Sequence, residues 1–230
     1  MQFQRFEKVQ DFAARTLAFL QTREVENNLP IGILNRGIEE DGAQDWFMGC
    51  VANDFNEVAL AALMTPPHNI ILAVPAGEVS EAALDCLSGA LKEQEIAVPG
   101  AIGEVKWVHA FAQRHAGRFH EGLRERIYRL DQVSDIPITG CLRPARETDM
   151  AFLPYWTKAS SEDCFGRPAE LDGEGARRII ERGSLFILEA GGQPVSMAGV
   201  CRKTRRSRVL GQVYTPPYFR NRGYGTSCVA

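Results

Sequence analysis

The sequence predicts an α/β fold, α+β in looser usage, built from mixed sheets with flanking helices. Three observations predict it. Apolar residues recur at helical spacing in some segments and as short strand-like runs in others. Three successive strand-like runs followed by a helix occur in each half of the chain. A stretch of little periodicity holding a proline and a glycine, Ser134-Asp-Ile-Pro-Ile-Thr-Gly140, separates the halves. The expected domains are therefore 1–137 and 138–230, and a chain of 230 residues is long enough for two small cores.

In the first half, Val9, Phe12, Ala13, Leu17 and Leu20 give a helix over residues 6–28, expected to end before Pro30. Strands follow at Trp46–Ala52, Val58–Thr65 and Asn69–Val74, separated by Asn53-Asp54 and Pro66-Pro67. Ser80–Lys92 is a helix with Ala83, Leu84, Leu87 and Leu91 on one face, Val105–Arg114 is a second helix, and Arg124–Leu130 reads as a strand. In the second half, Cys141-Leu-Arg-Pro144 is a short strand, followed by helices over Asp149–Ser160 and Glu174–Arg182, the latter stopped by Gly183. Strands at Ser184–Glu189, Val195–Lys203 and Arg208–Thr215 complete the set, the first two joined by the tight-turn residues Gly191-Gly192-Gln193. Each half also carries Thr-Pro-Pro at a strand end, Thr65-Pro66-Pro67 and Thr215-Pro216-Pro217. The first half is thus a candidate degenerate copy of the second, the alternative being coincidence between two short matches.

Charged residues make up 24% and the AVILMFWYC set 45%, ordinary proportions that exclude disorder, collagen and coiled coil. The net charge of −3 supplies no bulk attraction to nucleic acid or an anionic membrane. The longest apolar runs, Val58–Met64 and Ile70–Pro75, fall far short of the roughly 20 residues that span a bilayer. The N-terminus lacks a signal-peptide layout, so a cytoplasmic location is expected. Six dispersed cysteines with no CxxC read as buried thiols. His109, His115 and His120 are spaced six and five apart, off any one helical face, so no metal site is expected. Arg202-Lys-Thr-Arg-Arg-Ser-Arg208 reads as a solvated hairpin tip, and Glu39-Glu-Asp41 as a solvated acidic loop.

The informative stretch is Gly211-Gln-Val-Tyr-Thr-Pro-Pro-Tyr-Phe-Arg-Asn-Arg-Gly-Tyr-Gly-Thr226, a strand, a proline stop, an arginine–glycine loop and a helix start. Glycines at such a turn let backbone N–H groups converge on an anion, with the positive end of the helix behind them. A P-loop would need Gly-Lys-Ser/Thr and a dinucleotide fingerprint would need Gly or Ala where Cys228 stands, so neither fits. The stretch resembles the acetyl-CoA motif of the GCN5-related N-acetyltransferases (GNAT), V-x-V-x-P-x-x-R/Q-x-x-G-x-G/A, through Val213, Thr215, Pro217, Arg220, Gly223 and Gly225. Thr215 stands where an apolar residue is usual, and Asn221 replaces a frequent glycine. Leu142-Arg-Pro-Ala-Arg-Glu-Thr-Asp149 is similar to the family's opening strand and helix cap, and the resemblance covers about residues 138–230.

That resemblance implies an N-acetyltransferase that uses acetyl-CoA as cosubstrate, no metal, and direct attack by the amine of a small molecule or peptide. Backbone groups of Val213, Tyr214 and Thr215 would hold the pantetheine arm. Arg220, Asn221, Arg222, Gly223, Tyr224, Gly225 and Thr226 would hold the pyrophosphate. No general base is named by the sequence: Arg208–Thr215 carries no carboxylate, and Glu162, Asp163, Glu189 and Tyr214 are substitutes that also read as surface acids or packing. The alternative function is a module that binds a CoA ester without transfer. The resemblance further implies that the family's fold continues for on the order of 50 residues past Ala230, including the strand that would lie beside Arg208–Thr215.

Overall fold

The computed structural model describes residues 1–40, 45–77, 80–168 and 173–230; Asp41 of the acidic loop lies outside them. The chain divides into two compact units, Met1–Ile127 and Tyr128–Ala230.

Unit 1 contains β1 (Gln2–Phe6), α1 (Val9–Thr22), α2 (Asn28–Glu40), β2 (Phe47–Ala52), β3 (Val58–Met64), β4 (Ile70–Ala73), α3 (Glu81–Glu93), β5 (Ala101–Ile102) and α4 (Val105–His115). Its sheet runs in the order β1-β2-β3-β4-β5, antiparallel except for the parallel β4–β5 pair. Alternation assigns the strand residues to two faces. Phe47, Val51, Leu60, Ala62 and Leu72 pack against Leu84, Leu87, Trp107 and Phe111 of α3 and α4. Met48, Cys50, Ala61 and Leu63 pack against Phe12, Leu20, Ile31 and Leu34 of α1 and α2. Helices on both faces explain why β2 and the end of β3 are continuously apolar rather than alternating.

Unit 2 contains β6 (Cys141–Pro144), a 3-10 turn (Glu147–Ala151), α5 (Leu153–Phe165), α6 (Gly173–Glu181), β7 (Leu185–Ala190), β8 (Gln193–Lys203), β9 (Arg208–Tyr214), a second 3-10 turn (Pro217–Phe219) and α7 (Tyr224–Val229). Its sheet is antiparallel throughout, in the order β6-β7-β8-β9. Leu153 and Trp156 of α5 cover one face over Ile187, Met197 and Tyr214, and Cys228 of α7 meets Leu188, Val195 and Ala198 on the other. The architecture is α/β with seven α-helices among the described residues; the unit 1 sheet is mixed, while the mixed sheet expected for the second half is, among the described residues, wholly antiparallel.

Several sequence expectations are corrected. The helix expected over 6–28 is shorter, α1 alone, with a turn over 23–27; it ends before Pro30 as expected, but Pro30 is itself helical, the third residue of α2. In a first turn the missing proline N–H would have had no intrahelical partner, so it costs nothing there. Residues 124–130 form no strand; Ile127, Tyr128 and Leu130 are exposed and the segment pairs with no sheet. Alternation gave it strand character, but a strand needs a neighbouring edge. The cysteines are not uniformly buried, since Cys141, Cys164 and Cys201 are exposed.

The Thr-Pro-Pro repeats also occupy different places. Both units share the order strand, helix, helix, three strands, helix, so β4 corresponds to β9 and α3 to α7. Thr65-Pro66-Pro67 lies between β3 and β4, whereas Thr215-Pro216-Pro217 follows β9. The topological counterpart of Thr215-Pro216 is Val74-Pro75.

Candidate functional site

The site grows from the edge strand β9. Met197 faces Tyr214 and Gly199 faces Gly211, so Gln212 and Val213 together oppose the single residue Ala198. This is a β-bulge, and its strain sits at Gln212, a non-glycine residue at φ +51°. Small residues surround it by necessity: a Cβ on Gly211 would lie 2.5 Å from the Cys201 sulfur. Two glycines on adjacent strands, Gly199 and Gly211, are the sequence signal from which the bulge could have been read.

Below the bulge the strand end is fixed by a hydroxyl that sequence reasoning missed. Ser196 is fully buried on β8. Its Oγ donates to the Tyr214 carbonyl at 3.0 Å and lies 2.9 Å from Thr215 Oγ1. Tyr214 itself is buried, 6.1 Å from the Trp156 ring, and burial pushes its phenol above the ordinary tyrosine range, so it stays protonated at neutral pH. Val213 remains exposed on the strand.

The chain then turns through the Pro217–Phe219 segment into the arginine–glycine loop. Arg220 Nε donates to the Thr215 carbonyl at 2.9 Å, while its Nη2 pairs with Asp163 of α5. Asn221 and Gly223 are left-handed, at φ +61° and +79°. Asn221 and Arg222 are exposed, and Arg222 has no side-chain partner among the described residues. Gly223 opens α7 by accepting from the Ser227 N–H at 2.9 Å. A Cβ on Gly223 would meet nothing within 4 Å, and one on Gly225 would press on Thr215 Oγ1 at 3.3 Å. Tyr224 packs edge-on against Phe219, and Thr226 is exposed. The loop therefore leaves open space over Gly223 beside the exposed Arg222. Among the described residues no cluster of three His, Cys, Asp or Glu side chains is placed to hold a metal ion.

Across its whole length the chain is similar to a solved acetyltransferase of the GNAT family from Colwellia psychrerythraea, with a TM-score of 0.52, 11% identity and 83% of that chain covered. The fold is GNAT-like. No family model and no curated protein matches the chain.

Within this GNAT-like frame the three acids considered for proton transfer are placed differently. Glu189 is held by Arg143 at 2.7 Å and by Arg146 at 3.3 Å, and the Arg143 hydrogen bond lowers its carboxyl. The same Arg143 grips Asp149 with two bonds of 2.7 and 2.8 Å. Burial raises the Asp149 carboxyl, but the hydrogen bonds from Arg143 and from the Arg146 N–H outweigh it and the net shift is downward. This Arg143–Asp149–Glu189 cluster ties β6, the first 3-10 turn and β7 together. Asp163 is occupied by Arg220, and Glu162 is exposed on α5. Among the described residues no helix is long and apolar enough to cross a membrane.

Proposed function

We propose that the chain is an acetyl-CoA-dependent N-acyltransferase that moves an acetyl group to the amine of a small molecule or peptide. The observation that carries this reading is the continuity of an exposed, bulged edge strand, β9, with a left-handed Asn221–Gly223 loop. An edge strand offers backbone N–H and C=O groups to an extended amide-bearing chain, and the pantetheine arm is such a chain. In this reading the backbone of Val213, Tyr214 and Thr215 holds the arm, and the amides from Asn221 to Thr226, with Arg222, hold the pyrophosphate.

The bulge supplies the electrostatics of transfer. Gln212 and Val213 together oppose Ala198, and in this reading the one extra N–H that such a bulge leaves outside the ladder turns to the carbonyl oxygen as it gains negative charge. The amine nitrogen attacks the thioester carbon, the C–N bond forms, the C–S bond breaks and the sulfur leaves as a thiolate. The amine's proton ends on solvent or on that sulfur. Orientation along β9 and oxyanion stabilisation carry the rate in this scheme. Tyr214 is the one phenol on the strand, and its ring packs into the core against Trp156.

A second reading, a CoA-ester-binding module without transfer, is favoured by one specific observation: Glu189 and Asp163 are both engaged by arginines and β9 carries no carboxylate. Calorimetric titration with acetyl-CoA, followed by thiol release across a panel of amines, decides between the two. Binding with turnover supports the enzyme, binding without turnover the module, and absence of binding removes both.

A further inference from the structure

Arg220 belongs to the motif that the proposed function assigns to the pyrophosphate, yet its guanidinium is already committed. Nε donates to the Thr215 carbonyl at 2.9 Å, which closes the loop on its own origin. Nη2 binds the Asp163 carboxylate on α5, and the guanidinium carbon lies 5.8 Å from the Tyr214 ring. The loop backbone is folded tightly inside this ring, with the Phe219 N–H donating to Pro216 at 2.8 Å and the Arg220 N–H to Pro217 at 3.3 Å. Both side chains of the ion pair are nearly half exposed, 43% for Arg220 and 49% for Asp163. An exposed pair of that kind adds little to stability, so its consequence is geometric. A planar fork spanning a backbone carbonyl and a helix carboxylate sets where the residues after it begin. Two residues later comes Arg222, exposed and without a side-chain partner among the described residues.

We propose that Asp163 is a positioning residue of the cofactor loop: it clamps Arg220 as an internal brace, and Arg222 is the arginine that meets the phosphates. The inference rests on the acetyl-CoA reading above. It divides the two loop arginines by chemistry. A brace needs the guanidinium fork, because a lysine ammonium cannot reach a carbonyl and a carboxylate in one fixed plane. A phosphate contact made as a point charge needs only the positive charge and is weakened by salt.

The test is calorimetric titration of the full chain with coenzyme A at low and high salt. Wild type is measured first: if it binds no coenzyme A, the acetyl-CoA reading fails and this inference falls with it. With wild-type binding established, D163N, R220Q and R220K are each expected to weaken coenzyme A about fivefold while leaving its salt dependence intact. The D163N/R220Q double variant is expected to lose no more than R220Q alone, since one clamp is removed once. R222Q is expected to weaken binding and flatten the salt dependence. The proposal is overturned if D163N binds as wild type, if it binds more tightly, if R220K retains wild-type affinity, or if the D163N and R220Q losses multiply. R220K keeps the charge and the exposure of the position, so it decides the matter even where D163N does not fold.

Discussion

Gly225 and Asp149 show two opposite uses of a single residue in unit 2. Gly225 works by what it lacks. A side chain there would crowd Thr215 Oγ1 at 3.3 Å and disturb the Ser196–Thr215 contact at the end of β9. It would also sit on the loop backbone that the proposed function gives to a pyrophosphate. Gly225→Val is expected to weaken coenzyme A by at least about tenfold, or about 1.4 kcal/mol, in calorimetry on the folded variant. Unchanged affinity would remove the loop from the site. Asp149 works by its charge. It is buried and takes two hydrogen bonds from Arg143 and one from the Arg146 N–H. Asp149→Asn removes one of the two carboxylates that hold Arg143, Glu189 keeping the other, and is expected to cost about 2 kcal/mol of unit 2 stability at neutral pH. The pH dependence follows from the depressed carboxyl. Its contribution is fully present above the ordinary value of 3.8 and is lost as pH falls below that through the folded-state value. Thermal melts of wild type and variant should therefore converge in acid, and a gap that stayed constant to pH 2 would assign the effect to packing instead.

The secondary-structure elements divide sharply into those whose residues announce them and those that depend on a distant partner. The strands β2, β3, β7, β8 and β9 and the helices α3 and α4 fall within a few residues of their expected ranges, because alternation and helical spacing are local. β1 was not legible: Gln2–Phe6 is mostly polar and becomes a strand only by pairing with β2. α2 was obscured by Pro30, and residues 124–130 have strand-like alternation without an edge to join. The loop after β9 was legible because left-handed turns select glycine and asparagine at the turn itself. The Arg220–Asp163 clamp was not, since 57 residues separate its partners. The bulge lies between these cases, marked by two glycines but sited by register. It also carries a stability prediction. Gln212 holds a left-handed conformation that costs a non-glycine residue about 1 kcal/mol. Gln212→Gly is expected to raise the denaturation midpoint by a comparable amount, less the entropy glycine brings to the unfolded chain. A fall in the midpoint would mean that the Gln212 side chain, which approaches Gly199, contributes more by packing than its backbone loses.

The two units share one topology but differ where chemistry would occur. The strand equivalent to β9 in unit 1 is β4, and its pairing with β3 is regular: Ala61–Ala73, Ala62–Leu72 and Leu63–Ile71, with no bulge. Its other edge is joined by β5 at Ile70 and Ile71. The carbonyl just past it, on Pro75, accepts a bond of 3.2 Å from Arg23, which also pairs with Glu104 at 3.0 Å. Residues 74–80, leading into α3, contain no arginine and contribute Glu78 instead. Among the described residues the β3–β4 pairing thus lacks the bulge, the sequence after β4 lacks the loop arginines, and Arg23 occupies the carbonyl at the end of the strand. These are coordinated losses if unit 1 is a degenerate copy of unit 2, and they predict that only unit 2 binds the cofactor. Hydrogen exchange on the full chain, with and without saturating acetyl-CoA, reads both units in one experiment. Slowed exchange is expected at residues 208–226, where an arm along β9 and a phosphate in the loop would occupy backbone N–H groups, and none at residues 70–103. Protection of β4 and the start of α3 equal to that of β9 and α7 would show that neither a bulge nor an arginine loop is required, and that unit 1 is a second cofactor site.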